Sequence, residues 1–264
     1  ELEKKSQELA RTALQLRDAN TKLTQLSVQK DAFLSQISHE LRTPMSSIRA
    51  FSEILRGVEV LSPQEQVRYA SIIQEETIRL TRLLDDLLDL SVLENGQVSL
   101  NVSTGSLRDL LDHSVAMARV GRDAAVMQIQ RNIADERVWL CTDLDRLNQV
   151  FLNLIVNAHK YCDAAEPKLQ IIVRQSAQQL TIDFIDNGSG ISNEDQNLIF
   201  EKFSRIGGHE SGGAGLGLAI SREILQRLQG DITYLPGQNG AAFRIRLPES
   251  VVGGVARTDL SSTD

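Results

Sequence analysis

Residues 33–51 read FLSQISHELRTPMSSIRAF. Apolar side chains at Phe33, Leu34, Ile37, Leu41, Met45 and Ile48 recur three and four apart, the spacing of one helix face. The stretch therefore predicts a helix with a continuous packing stripe. On that helix His39 is followed directly by Glu40, then by Arg42, Thr43 and Pro44. Proline removes a helical hydrogen bond and crowds the turn before it, so a local bend just after His39 is expected. A lone histidine on a helix is usually an ordinary surface residue. The flanking segments decide whether this one is more.

Upstream, Leu2, Leu9, Leu16 and Leu23 stand seven apart, and residues 1–30 read as a coiled coil. The companion seam positions Ser6, Ala13, Asn20 and Ser27 are small or polar, so the coil is expected to be weak. A weak seam suits a signalling rod that rotates or shifts, and equally a plain spacer. Downstream, the helix through His39 should run to about Arg56 and stop at Gly57. Ser62-Pro63-Gln64-Glu65 is a capping box with proline at the first helical position. A second helix carrying Ile73, Leu80, Leu84 and Leu87 follows to about Leu93. Two long helices on a short loop make an antiparallel hairpin with more apolar face than water tolerates. Pairing of two hairpins into a four-helix bundle would bury it, so a homodimer is expected.

Glu94-Asn95-Gly96-Gln97 breaks the pattern, and residues 95–97 are read as a linker. Beyond it, helical stretches 107–119, 144–161 and 216–228 alternate with strand-like runs 169–174, 180–185, 232–235 and 242–247. The expectation for 98–248 is an α/β sandwich with a mixed sheet and its helices on one face. Residues 249–264, rich in Gly, Ser, Thr and Asp, read as a loose tail. Trp139, Cys141 and Cys162 are expected in the core.

Four short motifs occur in order in this second half. Asn153, Asn157, Lys160 and Tyr161 lie three to four apart or adjacent on one helix. Asparagine carbonyls are hard ligands suited to Mg²⁺, and a lysine one turn on suits phosphate. Asp186-Asn-Gly188-Ser-Gly190 follows a strand, where glycines allow close approach and a carboxylate can accept from an amine. Phe200, Phe203 and Arg205 would cap a segment and deliver a cation. Gly212-Gly213-Ala214-Gly215-Leu216-Gly217 opens a helix, where backbone N–H groups face phosphates. Each motif alone has a plainer reading as a turn, an exposed amide pair or core aromatics. Their conjunction does not.

Together with His39-Glu40-x-Arg42-Thr43-Pro44, these motifs resemble the H, N, G1, F and G2 boxes of sensor histidine kinases. The resemblance covers roughly residues 30–247. It implies a dimerisation and histidine-phosphotransfer domain over 31–94 and an ATP-binding domain over 98–248, in the wider family with gyrase, Hsp90 and MutL. By resemblance, His39 accepts a phosphoryl group from ATP and passes it to an aspartate of a response-regulator receiver domain. Glu40 orients and assists His39, and Thr43 places a water for dephosphorylating the regulator. Asn157 holds Mg²⁺, with Asn153 near the phosphates. Lys160 and Arg205 face phosphate charge, Asp186 reads the adenine amine, and Tyr161 lies near the nucleoside. Gly188 and Gly190 shape the pocket, and Gly213, Gly215, Leu216 and Gly217 wrap the phosphates under a lid spanning about 204–212. Ala214 departs from the Ser or Thr common there, which takes away one hydroxyl contact.

The bulk properties agree. A net charge of −7 argues against nucleic acid as a partner. Cys141 and Cys162 have no metal-ligand spacing and suit a reducing compartment. No apolar run reaches the ~18 residues of a membrane helix. A cytoplasmic fragment is expected, starting in mid-helix, with an inner-membrane anchor left open for a sensory part that would precede it. An ATP-driven clamp of the gyrase kind would share the nucleotide motifs, but it has no use for the sequence around His39.

Overall fold

The computed structural model describes residues 2–57, 61–94, 99–119, 127–133, 138–176, 178–204 and 215–253. Its contacts divide the chain into two units, with the division between Leu83 and Leu84.

The first unit is helical. α1 spans Leu2–Gly57, 56 residues running unbroken through Pro44. α2 spans Pro63–Glu94 and starts where the capping box places it. Ser62 N donates to Glu65 Oε2 at 2.9 Å, and Glu65 N donates back to Ser62 Oγ at 3.2 Å. Those two bonds satisfy amide groups that no helical carbonyl reaches. Phe51, near the end of α1, stacks on Tyr69, near the start of α2, with ring centroids 5.4 Å apart. That contact joins the hairpin at its loop end. Leu16 and Leu23 of the expected coil seam are exposed, as are Leu34, Met45, Val67 and Ile78 along the hairpin.

The second unit takes in the last turns of α2 and everything after them. β1 (Ser103–Ser106), β3 (Trp139–Thr142) and β8 (Val252–Gly253) form a small antiparallel sheet in the order β1-β3-β8. The larger sheet has five strands: β2 (Gln128–Ile133), β4 (Lys168–Gln175), β5 (Gln179–Asp186), β6 (Asp231–Tyr234) and β7 (Ala242–Pro248), in the order β2-β4-β5-β7-β6. The β2–β4 pair is parallel and the others are antiparallel, so the sheet is mixed. α3 (Leu107–Arg119), α4 (Leu144–Tyr161) and α5 (Gly217–Arg227) complete the unit. α4 packs between α3 and α5 and against β5.

The strand period of two explains the core. Leu180, Ile182 and Phe184 of β5 point to the helices and are buried, and Phe184 meets Phe151 of α4 with centroids 5.6 Å apart. Asp183 points the other way, yet is only 1% exposed. Two arginines cover it. Arg244 donates to its Oδ1 at 2.6 Å and its Oδ2 at 2.7 Å, and Arg174 donates to Oδ2 at 2.7 Å. Burial by itself would raise the carboxyl. The hydrogen bonds and charges of Arg244 and Arg174 outweigh burial and hold the Asp183 carboxyl below its ordinary value.

Several expectations need correction. Trp139 is 37% exposed rather than core, because β3 is a short strand of the small sheet and its odd residues face out. Cys141, on the same face, is exposed, and Cys162 is half-buried. The small sheet and β2 lack the apolar alternation that marks a strand. The tail is ordered further than its composition implies: residues 249–251 form a 3-10 turn with Val251 buried, and β8 then pairs with β3. The linker 95–97 and residues 254–264 lie outside the described residues.

Candidate active site

In the first unit, His39 is exposed on α1 with Glu40 half-buried beside it. Thr43, one turn on, donates from Oγ1 to the His39 carbonyl at 3.3 Å. Its hydroxyl therefore lies on the same side of the helix, over the turn that carries the imidazole. Pro44 is buried. Having no N–H, it removes one bond from the helical ladder at this turn.

In the second unit, α4 is the element around which the nucleotide motifs gather. Asp143 caps its start, accepting from Arg146 N at 3.1 Å, and Cys162 N donates to Ala158 O at 3.0 Å at its end. Leu147, Val150, Phe151, Leu154 and Ile155 bury its inner face. Asn153 and Asn157 are half-buried, and Lys160 and Tyr161 are exposed at the C-terminal end. Lys160 lies over the Tyr161 ring, 4.7 Å from its centroid.

Asn153 faces α5. Its Nδ2 donates to Ser221 Oγ at 2.9 Å, which ties α4 to α5 one turn past Gly217. The Leu216 side chain is fully buried beneath the turn. Gly215 O accepts from Phe203 N at 2.9 Å. Phe200 and Phe203 are buried; Phe200 packs edge-on against Phe243 and carries the Arg222 guanidinium 4.0 Å above its ring. The two aromatics thus belong to the core. Arg205, Gly213, Ala214 and the remainder of the expected lid fall outside the described residues.

Asp186 ends β5 and is 8% exposed. Its Oδ1 accepts from Gly188 N and from Ala241 N, both at 2.9 Å. Among the described residues its hydrogen bonds all fall on Oδ1, so Oδ2 is the edge available to a ligand. Burial, the largest effect, raises this carboxyl; the two backbone bonds lower it, and the nearby Asp163 charge raises it again, for a net rise. Gly190 closes the same turn in the left-handed region at φ +77. Sequence reasoning missed the far wall. Gly240 approaches so closely that a Cβ there would lie 2.0 Å from the Asp186 carbonyl oxygen. Gly237-Gln-Asn-Gly240 reads only as a hairpin turn, and no signal in it points to the residue it contacts.

Three segments distant in sequence thus converge: α4, the turn 186–190 and the start of α5. A half-buried row of amides, a lysine and a tyrosine, and a held carboxylate with one open oxygen fit an adenine nucleotide. An Asn carboxamide is a hard donor of the kind Mg²⁺ takes alongside phosphate oxygens. No cluster of three or more His, Cys, Asp or Glu suited to a metal occurs among the described residues; Mg²⁺ usually takes phosphate oxygens and water beside one or two protein ligands.

Comparison with known proteins identifies the family. Residues 29–96 match the His Kinase A phospho-acceptor domain, and residues 142–251 match the family of histidine kinase-, DNA gyrase B- and HSP90-like ATPases. The sensor protein kinase WalK of Staphylococcus aureus is 32% identical over 247 residues, covering 88% of this chain and 57% of WalK. WalK of Staphylococcus haemolyticus is 32% identical over 250 residues, covering 88% of this chain and 39% of that protein. The chain belongs to the sensor histidine kinases. It carries their catalytic core and spans only about half the length of these curated relatives, or less. Among solved histidine kinases, AdeS of Acinetobacter baumannii is 27% identical with a TM-score of 0.63, covering 80% of this chain and 97% of that one. ThkA, solved in complex with the response regulator protein TrrA, shares the fold with a TM-score of 0.66 at 22% identity, over 82% of this chain and 60% of that one. His39 and Thr43 lie within the phospho-acceptor match, and every nucleotide-site residue named above lies within the ATPase match. No helix among the described residues is long and apolar enough to cross a membrane.

Proposed function

We propose that this histidine kinase core binds ATP with Mg²⁺ in its second unit, transfers the γ-phosphoryl group to His39, and passes it to an aspartate of a response-regulator receiver domain. Residues 31–94 serve as the dimerisation and phosphotransfer domain, 98–248 as the ATP-binding domain, and 95–97 as the joint between them. The observation that carries the reading is the presence, in one chain, of an exposed His39 beside a half-buried Glu40 and of a separate site built around the open oxygen of Asp186.

In the transfer, a neutral ring nitrogen of His39 forms the N–P bond as the bond from γ-phosphorus to the bridging oxygen breaks and ADP leaves. Glu40 accepts from the other ring N–H, holding the tautomer and offsetting the charge that the ring acquires. ATP supplies the phosphoryl group, and Mg²⁺ on Asn157 offsets its charge. Asp186 Oδ2 accepts from the adenine amine, Tyr161 flanks the nucleoside, and Lys160 and Arg205 face phosphate. Positioning and charge compensation supply most of the catalysis. Donor and acceptor belong to different units, so the units must meet during the cycle. The exposed Leu16 and Leu23 of the seam and the exposed apolar residues of the hairpin support dimerisation with a second copy. Thr43 is assigned a phosphatase role, orienting water toward the phosphorylated regulator.

The test is incubation with ATP and Mg²⁺, then peptide mapping of the label. Acid-labile phosphate on the peptide containing His39 is expected. A chain that binds ATP but takes no label would overturn the kinase reading.

A further inference from the structure

The turn after β5 is tied to the connection after α4 by a set of side-chain bonds that the motifs do not include. Asp163 Oδ1 accepts from Ser189 N at 2.7 Å. Asn187 Oδ1 accepts from Lys168 N at 2.7 Å and from the Cys162 thiol at 3.3 Å, while its Nδ2 donates to Glu166 O at 2.9 Å. The two segments also lie flat against each other. A Cβ on Gly188 would come within 3.0 Å of Asp163 Oδ1 and 3.1 Å of Cys162 Cα. The turn and the connection are therefore bonded to each other at several points.

Ser189 N is the next amide after Gly188 N, and Gly188 N holds Asp186. The two amide planes meet at the Gly188 Cα and turn only about its φ and ψ, so a bond that holds the Ser189 plane restricts the freedom of the Gly188 plane beside it. On the other side, Asp163 is two residues past Tyr161, where α4 ends. We propose that Asp163 is a positioning residue for nucleotide binding: through Ser189 N it fixes the aim of Asp186 and joins the base-reading turn to the α4 end that carries Asn157, Lys160 and Tyr161. The inference rests on the reading of Asp186 as the acceptor for the base amine. The bond is made by Asp163 Oδ1 as acceptor, a role that an asparagine oxygen can also fill.

The test compares the ATP KM and kcat for autophosphorylation, and ADP affinity by calorimetry, in the whole chain and its D163A, D163N and D186N variants. D163A should raise the ATP KM and the ADP Kd about fivefold, the effect of one lost hydrogen bond, with kcat unchanged. D163N keeps an acceptor oxygen and should restore affinity to near wild type. Asp163 is exposed, so the thermal transition of D163A should stay near that of the parent. Wild-type ADP affinity in D163A, equal weakening in D163N, or a fall in kcat at constant KM overturns the proposal. D186N separates the two readings. If D186N loses ADP while D163A does not, only the role of Asp163 falls; if D186N binds normally, the base-site reading itself falls.

Discussion

Asn153 of α4 and Gly217 of α5 approach so closely that a Cβ on residue 217 would sit 2.3 Å from Asn153 Oδ1. Asn153 cannot simply swing away, because its Nδ2 is bonded to Ser221 on the next turn of α5. Gly217→Ala should therefore push α5 off α4, costing about 1–3 kcal/mol as an overpacked site does. A lower thermal transition with weakened nucleotide binding is expected. An alanine variant with the parent's transition and affinity would show that this contact is not close in solution.

His39 is exposed on α1. His39→Ala should leave the thermal transition and ATP affinity unchanged while abolishing the acid-labile label. Persistent labelling in this variant would place the acceptor elsewhere.

Asp183 gives an acid-sensitive contribution to stability. Its native carboxyl is held below the ordinary value, so its contribution is complete above the unfolded carboxyl's range and is lost as pH falls through the lowered native value. Asp183→Asn should cost about 2 kcal/mol at neutral pH, below the ~3–5 of a fully buried pair, because both arginines keep contact with water. Denaturant titrations at neutral and acidic pH should show the gap between parent and variant narrowing on acidification. A gap that stays constant with pH would contradict the ion-pair account.

Asp89, on the last turns of α2, accepts from Arg146 Nη1 at 2.9 Å and from Gln149 Nε2 at 2.7 Å, and Arg227 donates to the Leu93 carbonyl nearby. Leu90 and Leu93 are buried beside these bonds. Asp89→Ala should loosen the end of α2 by about 1–2 kcal/mol. Hydrogen exchange should quicken in a peptide covering 88–94 and stay unchanged around Phe51 and Tyr69. Unaltered protection at 88–94 would refute the clasp.

The sequence alone determined the helical hairpin, the mixed-sheet unit and the family, because local rules carry those features. Seven-residue and three-to-four spacings mark helices, Ser62 and Glu65 cap one another within a single turn, and the long strands alternate. Nothing of that kind marks β1, β3 or β8, whose few residues gain order only from their partners across the sheet. Only the tertiary structure decided what faces what. The Asn153 amide nitrogen donates to Ser221, the Leu216 side chain is buried, and Phe200 and Phe203 are core. Asp163, Gly240 and Ala241 contact the turn at Asp186 from segments up to 55 residues away. Such bonds carry no periodicity and join chemically ordinary residues, so they exist as a pattern only once the backbone has brought them together.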